Sequence, residues 1–171
     1  MKIILRELIE ADAFRIMEFL QDKEVTKYLA ELPDPYTLES ARSFIRFVKE
    51  WKMKGESYHF AISDREEGKI FGVIGMNLRK NKERVGEIGF WIGRENWGGG
   101  IIKEALPLFI TFAFQELKLT TIFAEVFQSN IASVKVLEKS GFVKIGLSAR
   151  KTCNSKTDEP IFLFRLENKG E

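Results

Sequence analysis

The spacing of apolar residues changes twice along the chain and divides it into three stretches. Residues 11–21 carry Phe14, Met17 and Leu20 at helical spacing, with Ile16 and Phe19 widening the stripe. Recurrence at three and four residues marks an amphipathic helix. Pro33, Asp34 and Pro35 then break the chain. Thr37 is a good N-cap for a second helix to about Met53, which sets Ala41, Phe44, Ile45, Val48 and Trp51 or Lys52 on one side. A short strand over residues 2–5 precedes both helices. From Tyr58 the period drops to two, which predicts strands over 58–63, 70–78 and 85–92. They are joined by a turn at 64–68 and a charged cluster at 81–84, as in an antiparallel meander. Gly72, Gly75, Gly86 and Gly89 fall inside these strand patterns, the usual sign of a bulge or of a group lying close against the backbone.

The third stretch opens with Trp97, Gly98, Gly99 and Gly100 and runs directly into a helical pattern over residues 101–117. Two adjoining stripes are predicted there: Ile101, Ala105, Leu108 and Phe112, and Ile102, Leu106, Phe109 and Ala113. Pro107 lies inside this helix, removes a backbone donor and predicts a bend. A strand at 120–127 follows, then a short helix with Val134, Val136 and Leu137 apolar, ending at Gly141 as a left-handed cap. Strands at 142–147 and 160–166, joined by a polar loop over 150–159, close the chain. The order βαα-βββ-α-β-α-ββ describes an α+β fold, a mixed sheet with helices on both faces. The crossover from 85–92 to 120–127 requires a local parallel pairing. Ligands of such open sheets bind beyond the carboxyl ends of the parallel strands, where the glycine loop falls.

Composition narrows the function without naming it. A chain of 171 residues with 44% apolar and 30% charged positions fits one soluble domain, residues 1–171. The 27 basic residues against 25 acidic ones leave a net charge of +2, which argues against a nucleic-acid partner. A single cysteine, Cys153, excludes an intrachain disulfide and a thiolate metal cluster, and a single histidine, His59, excludes a His-rich metal site. No metal is expected. Near the start of the chain only Ile3, Ile4 and Leu5 run together as apolar residues before charge appears again, too few for a secretion signal. No run reaches membrane-spanning length, so a cytoplasmic protein without a membrane partner is expected.

Candidate chemistry begins at the glycine loop. A strand, a bare turn and a helix N-terminus bind an anionic group, because the first-turn N–H groups lack intrahelical partners and the helix dipole adds partial positive charge. Two nucleotide loops are excluded. A Walker loop needs Lys and Ser or Thr directly after its last glycine, but Lys103 comes three residues after Gly100 and is followed by Glu104. The dinucleotide pattern G-x-G-x-x-G fails because Lys103 stands in the third glycine's place.

The loop fits a third pattern, R/Q-x-x-G-x-G/A, with Gly98 and Gly100 in the glycine positions and Glu95 in place of Arg or Gln, beside Arg94. The strand GEIGFW (residues 86–91) precedes the loop WGGG, which runs on to Glu104 and Ala105. A second block, N-x-x-S-x-x-x-L-x-K-x-G-F, is formed by Asn130, Ser133, Leu137, Lys139, Gly141 and Phe142. The segments LRELIEAD, YHFAI and FGVIGM agree with the same pattern. By these blocks the chain resembles the GNAT superfamily of acyl-CoA N-acyltransferases, and within it the branch that acetylates the N-termini of ribosomal proteins.

The resemblance implies acetyl-CoA as co-substrate and an amine acceptor, either a protein N-terminus or a small molecule, on a monomer or homodimer. It implies that Trp97, Gly98, Gly99, Gly100, Ile101 and Ile102 cradle the pyrophosphate. The backbone of Phe90, Trp91 and Ile92 pairs with the pantetheine arm, and Asn130 and Ser133 contact the coenzyme. Glu87 is the first candidate for the general base and Glu125 the second. Leu137 occupies the position where many relatives carry a tyrosine as general acid, which leaves Ser133 to hydrogen-bond the sulfur. Tyr36, His59, Glu125 and Asp158 are expected on the acceptor side, with Tyr28 and Trp51 as further lining. Two rival readings stay open at this point. One is a small-molecule N-acetyltransferase, favoured by the acidic patch at Glu31 and Asp34. The other is a non-catalytic acyl-CoA-binding module, suggested by Leu137.

Overall fold

A computed structural model of the chain describes residues 2–29, 32–79, 84–149, 159–168 and 170. Strands β1 (Ile3–Arg6), β2 (Ser57–Asp64), β3 (Ile70–Leu78), β4 (Val85–Ile92), β5 (Thr121–Phe127), β6 (Val143–Leu147) and β7 (Ile161–Glu167) form one sheet. Its spatial order is β1-β2-β3-β4-β5-β7-β6, and only β4 and β5 run parallel. Helices α1 (Ala13–Gln21), α2 (Lys23–Thr26) and α3 (Leu38–Met53) precede β2, while α4 (Ile101–Gln115) crosses from β4 to β5 and α5 (Ile131–Lys139) follows β5. The predicted mixed sheet is therefore present, mostly antiparallel, with α2 added.

Each face of the sheet carries its own core. On one, Ile102, Ala105, Leu106, Phe109 and Ala113 of α4 and Leu137 of α5 pack against Ile62, Ile74, Met76, Ile88, Ile122 and Phe164. On the other, Ile16, Phe19 and Leu20 of α1 and Ala41, Ile45 and Val48 of α3 pack against Ala61 and Val73. Alternation along the strands explains the division, since neighbouring residues point to opposite faces.

Two predicted stripes need correction. Phe14 is 58% exposed because the buried face of α1 runs through Ala13, Ile16, Phe19 and Leu20. Leu108 is 47% exposed, as α4 is in contact with the sheet only along its Ile102–Phe109 side. Pro107 stands on the solvent side of an unbroken helix, where the carbonyl that loses its donor belongs to exposed Lys103 and is open to water.

The helix ends follow their sequence signals. The Thr37 hydroxyl accepts the Ser40 N–H at 3.1 Å, and the Ser40 hydroxyl accepts the Thr37 N–H at 3.3 Å. At the end of α5, Gly141 takes φ +88°, and the N–H groups of Gly141 and Phe142 return to the carbonyls of Glu138 and Leu137. That pairing is the Schellman arrangement, which uses a left-handed glycine to satisfy the last carbonyls.

Candidate active-site cleft

The decisive feature is where β4 and β5 stop pairing. Their register runs from Val85 opposite Thr121 to Ile88 opposite Ala124 and goes no further. Beyond it β4 stays with β3 as far as Ile92 opposite Gly72, and β5 stays with β7 as far as Phe127 opposite Ile161. From Gly89 onward the two parallel strands part, and the β5-facing backbone edge of β4 has lost its neighbour. Gly89 is exposed, and a Cβ added there would meet nothing within 4 Å.

This split leads to the glycine loop. Gly98 and Gly100 adopt φ of +76° and +75°, left-handed values that glycine takes without strain. Gly100 is the N-cap of α4 and, being a glycine, supplies no side-chain cap. The first-turn backbone donors thus lack both intrahelical partners and an N-cap side chain, at the positive end of the helix dipole. The Trp97 indole N–H donates to the Ile92 carbonyl at 3.1 Å and folds the loop back over the end of β4. Glu95, the departure from the loop pattern, is ion-paired with Arg15, whose guanidinium lies 4.4 Å above the Phe19 ring. The pair fastens the loop to α1 and offsets a negative charge that would repel an anion.

Below the split, alternation sorts the side chains of β4. Ile88, Phe90 and Ile92 face the α4 core, whereas Glu87, Gly89 and Trp91 face the helical side. On that side Ser57, Asn77, Glu87 and Phe123 lie in one cross-strand row, and His59, Gly75 and Gly89 form the next. The Glu87 side chain is 18% exposed, and its carboxylate lies 3.5 Å from the Arg79 guanidinium. Arg79 in turn stacks 4.6 Å from the Phe123 ring centre. Glu125 is two residues beyond Phe123, on the same face at the edge of the split, and accepts the Ser148 hydroxyl at 2.7 Å. The two candidate bases thus share one face of the sheet.

His59 belongs to this group. Its ring lies between Phe44 and Trp51, at centroid distances of 6.0 and 6.2 Å. It covers Gly75, where a Cβ would collide with Nδ1. Its Nε2 is 2.6 Å from the Ser57 hydroxyl, which lies 2.8 Å from Asn77 Oδ1. Burial pushes the imidazole down to about 4, against the opposing effect of its Asn77 partner, so it is neutral at ordinary pH.

The remaining predicted residues divide. Asn130 caps α5 by accepting the Ser133 N–H at 3.2 Å, which leaves the half-buried Ser133 in the first turn, just past the end of β5. Leu137 is fully buried in the α4-side core and takes the place of any acid there. Tyr28 stands beside Phe127 with its hydroxyl 3.2 Å from that of Ser129, at the outer end of the split. Tyr36 is placed elsewhere: it is 5% exposed in the helical core, and burial pushes its hydroxyl up to about 12. Asp34 pairs with Lys23 at 2.8 Å on the surface. Asp158, Cys153 and Glu31 lie outside the described residues. Sequence reasoning missed Ser57, Asn77, Arg79 and Arg15. Odd-numbered spacing from 57 to 59 and from 77 to 79 was the available signal, but it says nothing about which strands are neighbours.

Comparison with known proteins settles the family. The model of the acetyltransferase (GNAT) domain matches residues 2–143. The chain belongs to the GNAT acetyltransferase family. It is an N-acetyltransferase, in keeping with relatives of that name. An uncharacterised N-acetyltransferase, p20, of Bacillus licheniformis is 32% identical over 147 residues, which cover 85% of this chain and 82% of p20. RimJ of Mycobacterium smegmatis, solved in complex with CoA-disulfide, shares the fold at a TM-score of 0.87 and 22% identity, covering 96% of this chain and 81% of RimJ. Spermidine N-acetyltransferase of Vibrio cholerae, solved with CoA and spermine, superposes at a TM-score of 0.82 and 18% identity, covering 97% of this chain and 95% of that one. No helix among the described residues is long and apolar enough to cross a membrane.

Proposed function

We propose that this GNAT enzyme transfers the acetyl group of acetyl-CoA to a primary amine by direct attack, without an acyl-enzyme. The observation that carries this reading is the β4–β5 split running into the glycine loop. The two form one path, an unpaired strand edge for an extended polar arm and a helix N-terminus for its phosphates. Backbone N–H groups from Gly98 to Ile102 hold the pyrophosphate. The edge of Gly89, Phe90, Trp91 and Ile92 pairs with the amides of the pantetheine arm as an added strand would. This sets the thioester beside Gly89, where a β4 N–H meets the carbonyl oxygen as charge builds on it.

The acceptor approaches from the helical side, past Glu87, Glu125 and His59, with Trp51 and Tyr28 at the margins. Its nitrogen lone pair forms the new C–N bond, Glu87 takes the nitrogen's proton, and the C–S bond breaks with its electron pair on sulfur. Ser133 hydrogen-bonds the departing thiolate, because Leu137 offers no proton. The acceptor is a peptide N-terminus or a small-molecule amine. Arg79 keeps Glu87 in place across the row.

A pH series with free-thiol detection tests the base. An amine arrives largely protonated below its own pKa, about 7.7–8.0 for an α-amine, so proton removal limits the rate most there. Glu87→Gln should lower kcat/KM by about 100-fold at acidic pH, with the gap closing as pH rises through the amine's pKa. Parallel wild-type and variant profiles would reject Glu87 as the base.

A further inference from the structure

Asn77 is an exposed amide on the face that carries Glu87, and its orientation is fixed from behind. It lies on β3 between Ser57 of β2 and Glu87 of β4, its cross-strand partners. The Ser57 hydroxyl carries a single proton, and Ser57 is itself buried. That proton goes to Asn77 Oδ1 at 2.8 Å. The hydroxyl oxygen must then accept from His59, so Nε2 at 2.6 Å carries the imidazole hydrogen. His59 is held in turn by Phe44 and Trp51 on its sides and by Gly75 beneath it. Donors and acceptors along His59, Ser57 and Asn77 therefore run in one direction, and with Oδ1 turned inward the Asn77 amino group points to the open side. Asn77 and Glu87 are direct cross-strand partners, so amide and carboxylate rise from neighbouring positions on one face, where paired Cβ atoms lie about 5 Å apart.

A donor next to a carboxylate has a definite complement. The carboxylate faces an amine, and the donor faces an oxygen acceptor carried on the carbon next to the one that bears the amine. We propose that Asn77 is a specificity-determining residue of the acceptor site, oriented by Ser57 and His59, and that it selects amines with an adjacent carbonyl over plain alkylamines. An acceptor without that oxygen leaves the Asn77 N–H groups to water and forgoes one hydrogen bond, a net difference of about tenfold. The inference rests on the acetyl-transfer reading above and adds a residue and a chemical requirement to it.

The test uses two acceptors of similar shape, alaninamide and sec-butylamine, with acetyl-CoA and thiol detection. Taking each variant's kcat/KM relative to wild type for the same acceptor removes the difference in amine pKa. Asn77→Asp keeps an oxygen for Ser57 but replaces the amino group with an acceptor. It should lower kcat/KM for alaninamide about tenfold more than for sec-butylamine. Ser57→Ala, which frees the amide to rotate, should shift the same ratio in the same direction by about threefold, and it stands in if Asn77→Asp does not fold. Equal losses on both acceptors, in whichever variant folds, overturn the inference while leaving the enzyme reading intact. Failure of the wild type to release CoA with either amine overturns the enzyme reading instead.

Discussion

His59 is the only histidine of the chain, and its surroundings decide its charge. Burial sets its folded pKa at about 4, below the unfolded value of about 6.5. A base whose pKa falls on folding binds more protons when unfolded, so its contribution is complete above pH 6.5 and is lost as pH falls toward 4. The full difference amounts to about 3 kcal/mol. Denaturant unfolding of wild type and His59→Gln at neutral pH and near pH 4 checks this, because all other groups cancel in the comparison. The wild type's advantage over the variant should shrink by up to that amount at the lower pH, whereas a constant difference would contradict a buried neutral imidazole. The residue scale was also the hardest to read from sequence. Glu87 was legible as a candidate because its strand and the family pattern agree. Ser57 and Asn77 were not, since an isolated serine or asparagine in a strand has no signature until its cross-strand partners are known. Tyr36 looked like lining because a tyrosine after a proline turn carries no mark of burial.

Elements were more legible than residues. Period-two alternation located β3 and β4 at their observed limits and the other strands to within a residue, and Thr37 and Gly141 marked the helix ends they cap. Phe14 and Leu108 were misassigned because apolar residues at helical spacing extend past the strip that meets the sheet. The β4–β5 split was illegible, since it depends on where each strand finds its other neighbour. The glycine loop was the opposite case, visible in sequence and explained by geometry. Gly100 adopts φ +75°, and a methyl group there would meet nothing within 4 Å. Any loss in Gly100→Ala is therefore conformational, about 1 kcal/mol. The variant should unfold at correspondingly lower denaturant and bind acetyl-CoA more weakly, as titration calorimetry would show. Unchanged stability and affinity would mean that the left-handed turn is not needed to present the N-terminus of α4.

At the scale of the whole molecule, two cores clamp one sheet from opposite faces, and the split opens where neither crosses it. The α4 core carries the helix that the glycine loop opens into, and the α1–α3 core carries the wall above Glu87 and His59. In the proposed reading, a donor held by the loop and the β4 edge meets an acceptor that arrives from the α1–α3 side, with the sheet between them setting their distance. The central claim is that this path holds acetyl-CoA, and a ligand bound only by the folded state must stabilise it. Thermal unfolding with and without acetyl-CoA tests that most directly. At a free concentration 100 times the dissociation constant the gain is about 2.7 kcal/mol, or roughly 5–10 °C in Tm for a chain of this size. A rise of that order, saturating with concentration and reduced in Gly100→Ala, is the expected result. An unchanged Tm at millimolar acetyl-CoA would contradict the account.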